Sequence, residues 1–240
     1  MGGLALGNLL ASRLSARFTR PLQAYAALEV VVGLAGAGIV WALPGLRATF
    51  AAVLGPLESM PWALNAMRLL GAFALLAMPT TAMGMTLPVL VRALAFRKAS
   101  FGASMGLLYG WNTLGAVAGT LAAEMWLIRA FGLRGTGVVA ALLNFAAAAA
   151  ALAVARSFSA ARDIAPPAAP TPAPGPAGWR VLAAAFLAGG ILLGLEVLWF
   201  RLLLLFAIGS STTFAVMLAV VLAGIGLGGL AASAWLARDP

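Results

Sequence analysis

Five ionisable side chains lie inside long apolar stretches of this sequence: Glu29, Arg68, Glu124, Glu196 and Arg201. An ionised group in hydrocarbon costs about 2.5–3.5 kcal/mol even on the gentler insertion scales, so each needs a partner or a task. Carboxylates placed this way can replace the hydration of a cation or carry a proton. Glu196, near the expected midplane, and Glu124, in the outer half, are therefore the leading candidates for a solute site, with Arg201 nearer the outer face, Asn144 near the midplane and Asn112 in the inner half completing the set. The competing reading is purely structural: Glu124 pairs with Arg68 or Arg201, and Glu196 with whatever cation or hydroxyl faces it. Glu196 and Arg201 sit about 140° apart round a helix, a poor angle for pairing within it. At least one of them must look to another helix.

A second chemistry-bearing pattern is LAGIGLGGLAAS, residues 222–233. A phosphate-cradling dinucleotide loop needs a strand before it, a helix after it and an acidic residue about 20 positions on. Here the glycines sit in a long apolar run that carries no strand pattern. They read as a helix-packing face: in lipid, small residues every four positions let backbones approach closely. The same spacing recurs at Gly3/Gly7, Gly102/Gly106/Gly110, Gly115/Gly119 and Gly224/Gly228.

The elements that must position these groups follow from composition. The 240 residues are 63% hydrophobic and 9% charged, with a mean hydropathy of +1.05. A soluble domain carries about 25% charged residues. The chain therefore reads as an all-α, polytopic integral membrane protein whose first partner is the lipid bilayer. Its net charge of +9 is spread between the apolar runs and gathers on no face, which argues against nucleic acid. Cysteine and histidine are absent, which excludes disulfides, thiol chemistry and the usual Cys/His metal sites. No catalytic residue, metal ligand or cofactor site is read. The single lysine, Lys98, among many arginines looks like a GC-rich bacterial coding bias.

Seven apolar segments are expected, at 1–12, 22–43, 62–91, 104–128, 135–155, 181–208 and 211–235. The first is too short to cross ~30 Å of hydrocarbon at ~1.5 Å per residue. Pro44 is expected to end the second, and Pro79 and Pro88 to kink the third. Residues 156–180, rich in proline and alanine, read as an extended linker. Arg13, Arg17, Arg20, Arg92, Arg97, Lys98, Arg156, Arg162, Arg180 and Arg238 fall on alternate connections, against only Arg47, Arg129 and Arg134 on the others. The positive-inside rule then makes the richer set, linker included, cytoplasmic in an inner membrane.

The chain also echoes itself. In GLALGNLLASRLSAR (3–17) and GIGLGGLAASAWLAR (224–238), Gly3, Leu6, Gly7, Leu9, Ala11, Ser12, Ala16 and Arg17 recur as Gly224, Leu227, Gly228, Leu230, Ala232, Ser233, Ala237 and Arg238. The expectation is a first membrane module over 1–155 that begins mid-helix, the linker at 156–180, and the first two spans of a repeated module over 181–240. Two six-helix halves would make a major-facilitator-like bundle, of which this chain would be a fragment.

Three stretches resemble the membrane domain of spermidine synthase-like proteins, often described as fused major-facilitator/spermidine synthases. They are LEVLWFRLLLLFAIGSSTTFAVMLAVVLAGIGLGGLAAS (195–233), PTTAMGMTLPVLVRAL (79–94) and GLLYGWNTLGAVAGTLAAEMWLIRAFGLRGTGVVAALLNF (106–145). The most distinctive tetrads are Asn112-Thr113-Leu114-Gly115 and Leu133-Arg134-Gly135-Thr136. The resemblance implies a helical membrane module that anchors or serves a soluble polyamine aminopropyltransferase domain. That enzyme's strands and clustered aspartates are not in this sequence, whose aspartates are Asp163 and Asp239. The alternative is a major-facilitator-type transporter of a small, cationic solute. Ser12 stands before Arg13 where major facilitators usually place an aspartate. On either reading Glu196→Gln is expected to abolish a transport or activity readout while membrane insertion, checked by fractionation, is kept.

Overall fold

Hydrocarbon offers no partner to a backbone N–H or C=O, so an apolar run that crosses it must satisfy both within its own helix. The computed structural model describes residues 1–14, 18–57, 59–94, 101–158, 175–206 and 210–237. Among these there is no strand. The order is α1 (Gly2–Leu14), α2 (Pro21–Leu54), a 3-10 turn (Gly55–Leu57), α3 (Pro61–Leu94), α4 (Phe101–Ala122), a π-helical turn (Ala123–Leu127), α5 (Ile128–Phe158), α6 (Pro176–Phe206) and α7 (Ser211–Leu236).

Five stretches among the described residues are long and apolar enough to cross a membrane: Pro21–Leu46, Pro61–Ala93, Gly102–Ser157, Gly178–Phe206 and Ser211–Leu236. The chain is a multi-pass membrane protein. Gly102–Ser157 is 56 residues long and is interrupted at Gly132, whose φ of 64° and ψ of −176° no other residue type adopts readily. The break falls between the two segments expected at 104–128 and 135–155. It occupies one residue where a connection of several was expected.

Two boundaries differ from the sequence reading. Pro44 does not end α2, which continues to Leu54. Proline removes one ladder hydrogen bond, and a helix long enough to be held on both sides of it can absorb that loss. The expected linker is also shorter at both ends. Residues up to Phe158 belong to α5, and α6 starts at Pro176, where a proline in the first turn has no N–H to miss. Residues 159–174, with most of the prolines of that segment, lie outside the described residues.

The chain divides into two compact units, residues 1–104 with 130–165, and 105–129 with 166–240. In the first, Gly3, Gly7 and Ala11 form the buried face of α1. Gly3 lies against Thr80 of α3, and Gly7 against the Thr81 carbonyl and Gly84. A Cβ on Gly33 of α2 would meet the Phe145 ring at 2.9 Å and Asn144 at 3.2 Å. Ala26, Ala148 and Ala151 are buried together with Tyr25 packed over them. The Arg134 guanidinium lies 5.3 Å from the centre of the Trp41 ring, a cation–π contact between α5 and α2.

In the second unit α4 and α7 meet backbone to backbone. A Cβ on Gly106 would lie 2.9 Å from the Gly229 carbonyl, and one on Gly110 would lie 3.0 Å from the Gly226 carbonyl and 2.7 Å from Leu230. Phe200 of α6 stands edge-on to Phe214 of α7, ring centres 5.4 Å apart at 89°. No residue in the most apolar window of Gly178–Phe206 is buried within the protein, and Phe186 and Phe206 are 79% and 83% exposed. Faces of this kind are compatible with contact to lipid chains.

Gly110→Leu should therefore force α4 from α7, at the about 1–3 kcal/mol typical of overpacking. Gly115, on the same helix, has open space around it. Gly115→Leu should leave the thermal midpoint in detergent unchanged or raise it, whereas Gly110→Leu should lower it.

Candidate functional site

Glu124 sits in the π-helical turn Ala123–Leu127 that follows α4. A π turn widens the helix by one residue and releases a carbonyl from the regular ladder, and such turns recur at functional positions. Its carboxylate points to the first turn of α7. One oxygen, Oε1, accepts from the Ser211 hydroxyl at 2.6 Å and from the Thr212 hydroxyl at 3.0 Å. The start of α7 is itself capped: Ser210 takes extended backbone angles and its Oγ accepts from the Thr213 N–H at 3.2 Å. A carboxylate at a helix N-terminus gains from the unpaired N–H groups and the dipole there. Arg129, further along the same helical stretch, is the cation whose field reaches Glu124.

Within this unit the arrangement differs from the competing reading that paired Glu124 with Arg201, while Arg68 belongs to the other unit. Serine and threonine hydroxyls from α7 hold it instead, and Arg201 on α6 is exposed. Glu196 lies past the midpoint of α6, partly exposed, and no hydrogen bond among the described residues joins it to another candidate. Asn112 is exposed on α4, beside Thr113, which is buried and donates to the Tyr109 carbonyl at 2.7 Å. Asn144 belongs to the other unit, where its amide donates to the Ala140 carbonyl at 2.9 Å. Among the described residues, then, Glu124 is the one of the five candidates built into a polar cluster with side chains from another helix. Glu29 has Tyr25 as a neighbour one turn away on α2.

The packing glycines are placed unevenly. Gly106 and Gly110 face α7, while Gly115, Gly119, Gly224 and Gly228 have nothing near an added Cβ. On α7 the contact is made by Gly226 and Gly229. Gly102 lies in the first turn of α4.

Sequence reading did not single out Ser211, Thr212 or the π turn. A signal for the hydroxyls was present: Ser210-Ser211-Thr212-Thr213 is the densest hydroxyl run in the chain, directly before an apolar helix. The π turn has no comparable signature. No family model, curated protein or solved structure matches the chain.

If the carboxylate and the hydroxyls act as one unit, their substitutions should not add. Glu124→Gln, Ser211→Ala and the double variant form a thermodynamic cycle read by thermal midpoint in detergent. The double variant should lose less than the two single losses combined. Strict additivity would mean that the contact contributes nothing.

Proposed function

We propose that this chain is the membrane module of a spermidine synthase-like protein and that it handles a small cationic solute, a polyamine in the first instance, at Glu124. The observation that carries the reading is the cluster itself. A carboxylate stands in a π turn between apolar helices and is held by two hydroxyls of another helix. Hydroxyl and carboxylate oxygens together can replace the water lost by an ammonium group, and sites of this kind occur where helices depart from regular geometry. The polar cluster also falls within the two longer stretches that carry the resemblance, 106–145 and 195–233.

On this reading the break at Gly132 makes Gly102–Ser157 two crossings, the arginine-rich connections are cytoplasmic, and the membrane is a bacterial inner membrane. The Glu124 cluster then lies toward the outer side, since it joins the end of one outward crossing, α4, to the start of a later inward one, α7. The module serves or anchors an aminopropyltransferase domain supplied with it. A free-standing major-facilitator-type transporter is the second reading, favoured by the same intramembrane carboxylate.

The test is accumulation of radiolabelled putrescine and spermidine by vesicles containing the full chain. Glu124→Gln should reduce accumulation to that of protein-free vesicles, while Arg134→Gln, outside the cluster, should not. Equal accumulation by wild type and Glu124→Gln would sink the assignment. Retention of a spermidine synthase on the vesicles separates the module reading, where it is expected, from the free-standing transporter, where it is not.

A further inference from the structure

The first unit holds a cavity of about 250 Å³ between the last turns of α1 and α3. Asn8, Ser12 and Arg92 supply its polar wall, and Phe18, Pro88 and Val89 its apolar one. Among the described residues no carboxylate lines it. Arg92 falls in the last turn of α3, and Arg13 in the last turn of α1 adds a charge of the same sign close by. Asn8 donates one amide hydrogen to the Leu4 carbonyl at 3.1 Å and has a second to give.

We propose that this cavity binds the phosphate of an anionic phospholipid headgroup, with Arg92 as its charge partner and Asn8 as a hydrogen-bond donor. The sign of the charge decides first: an arginine in a wall that holds no carboxylate among the described residues repels an ammonium group, so the cationic solute proposed for Glu124 has no place here. Size decides next. Pockets for drug-sized ligands run about 300–1,000 Å³, so this one suits a headgroup. Position agrees with both, because Arg92 closes the apolar stretch Pro61–Ala93, at the depth where hydrocarbon gives way to headgroups. Basic pockets between membrane helices hold anionic lipid in this manner, and the guanidinium fork matches two phosphate oxygens. The apolar wall takes the glycerol and the first acyl carbons. The proposal stands or falls independently of the reading of Glu124.

The test uses the full chain in a neutral detergent, with native mass spectrometry after addition of phosphatidylglycerol or phosphatidylcholine, and a parallel titration with inorganic phosphate. Phosphatidylglycerol should be retained in preference to phosphatidylcholine. Arg92→Gln should weaken that retention about five- to ten-fold, the worth of one arginine at a membrane surface. Arg180→Gln should leave it unchanged. Should Arg92→Gln fail to fold, headgroup-photoactivatable phosphatidylglycerol can be crosslinked to the wild-type chain in phosphatidylcholine vesicles. Adducts should then map to residues 8–12, to Phe18 and to residues 88–92. Equal retention of both lipids, or adducts spread evenly over the arginine-bearing segments, overturns the proposal. Inorganic phosphate bound through Arg92 without any preference for phosphatidylglycerol assigns the site to the free anion and overturns the lipid assignment.

Discussion

The hydrocarbon of the bilayer, which can neither donate nor accept a hydrogen bond, sets the terms for everything else in this protein. It turns each apolar run into a helix, because no other local structure satisfies the backbone internally. It also removes the usual reason for helices to pack, since a leucine is as comfortable against lipid as against protein. What remains is close approach. Where α4 meets α7, the absence of side chains at Gly106, Gly110, Gly226 and Gly229 brings carbonyls of one helix to within van der Waals reach of the other. α1 makes the same kind of contact with α3 through Gly3 and Gly7.

The same constraint gives the Glu124 cluster its meaning. A carboxylate between apolar helices must be hydrogen-bonded, and the residues that do this here lie in the first turn of α7, where the helix ladder itself supplies no partner for the N–H groups. A regular helix would keep its face rotating past that point. The π turn inserts a residue and re-aims the side chain, so the irregularity and the polar contact arise together. Gly132, a turn or so beyond, then ends the regular helix altogether. These two departures from helical geometry, within ten residues of each other, flank the point in the sequence where one compact unit gives way to the other.

The helical character and the approximate extent of most of the long helices were legible in composition and hydropathy, because those properties report directly on the solvent. Positions that depend on a particular neighbour were not. Pro44 looked like a stop, since proline breaks helices in water, but α2 runs through it to Leu54. Glu124 was legible as a group needing a partner. Its partner was not, because charge suggests arginine, whereas the contacts are the hydroxyls of Ser211 and Thr212. The glycine spacing was visible too, yet a run as rich as Gly224-x-Gly226-x-Gly228-Gly229 offers several registers, and periodicity alone cannot choose between them.

That ambiguity bears on the internal echo between residues 3–17 and 224–238. In α1 the buried stripe is Gly3, Gly7 and Ala11. Their counterparts in α7, Gly224, Gly228 and Ala232, are exposed, and the buried positions there include Gly226 and Ser233. Ser233 corresponds to Ser12, which is exposed on α1. Two residues along a helix turn the face through about 200°, so the two copies use nearly opposite sides. A helix with glycine or alanine on both sides can dock through either, because close approach in lipid asks only for the absence of bulk. Similarity of sequence at this spacing therefore preserves the capacity to pack without dictating the partner. The polar residues that accompany each face, Asn8 and Arg92 beside α1 and Ser211 with Glu124 beside α7, are what make the two contacts chemically different.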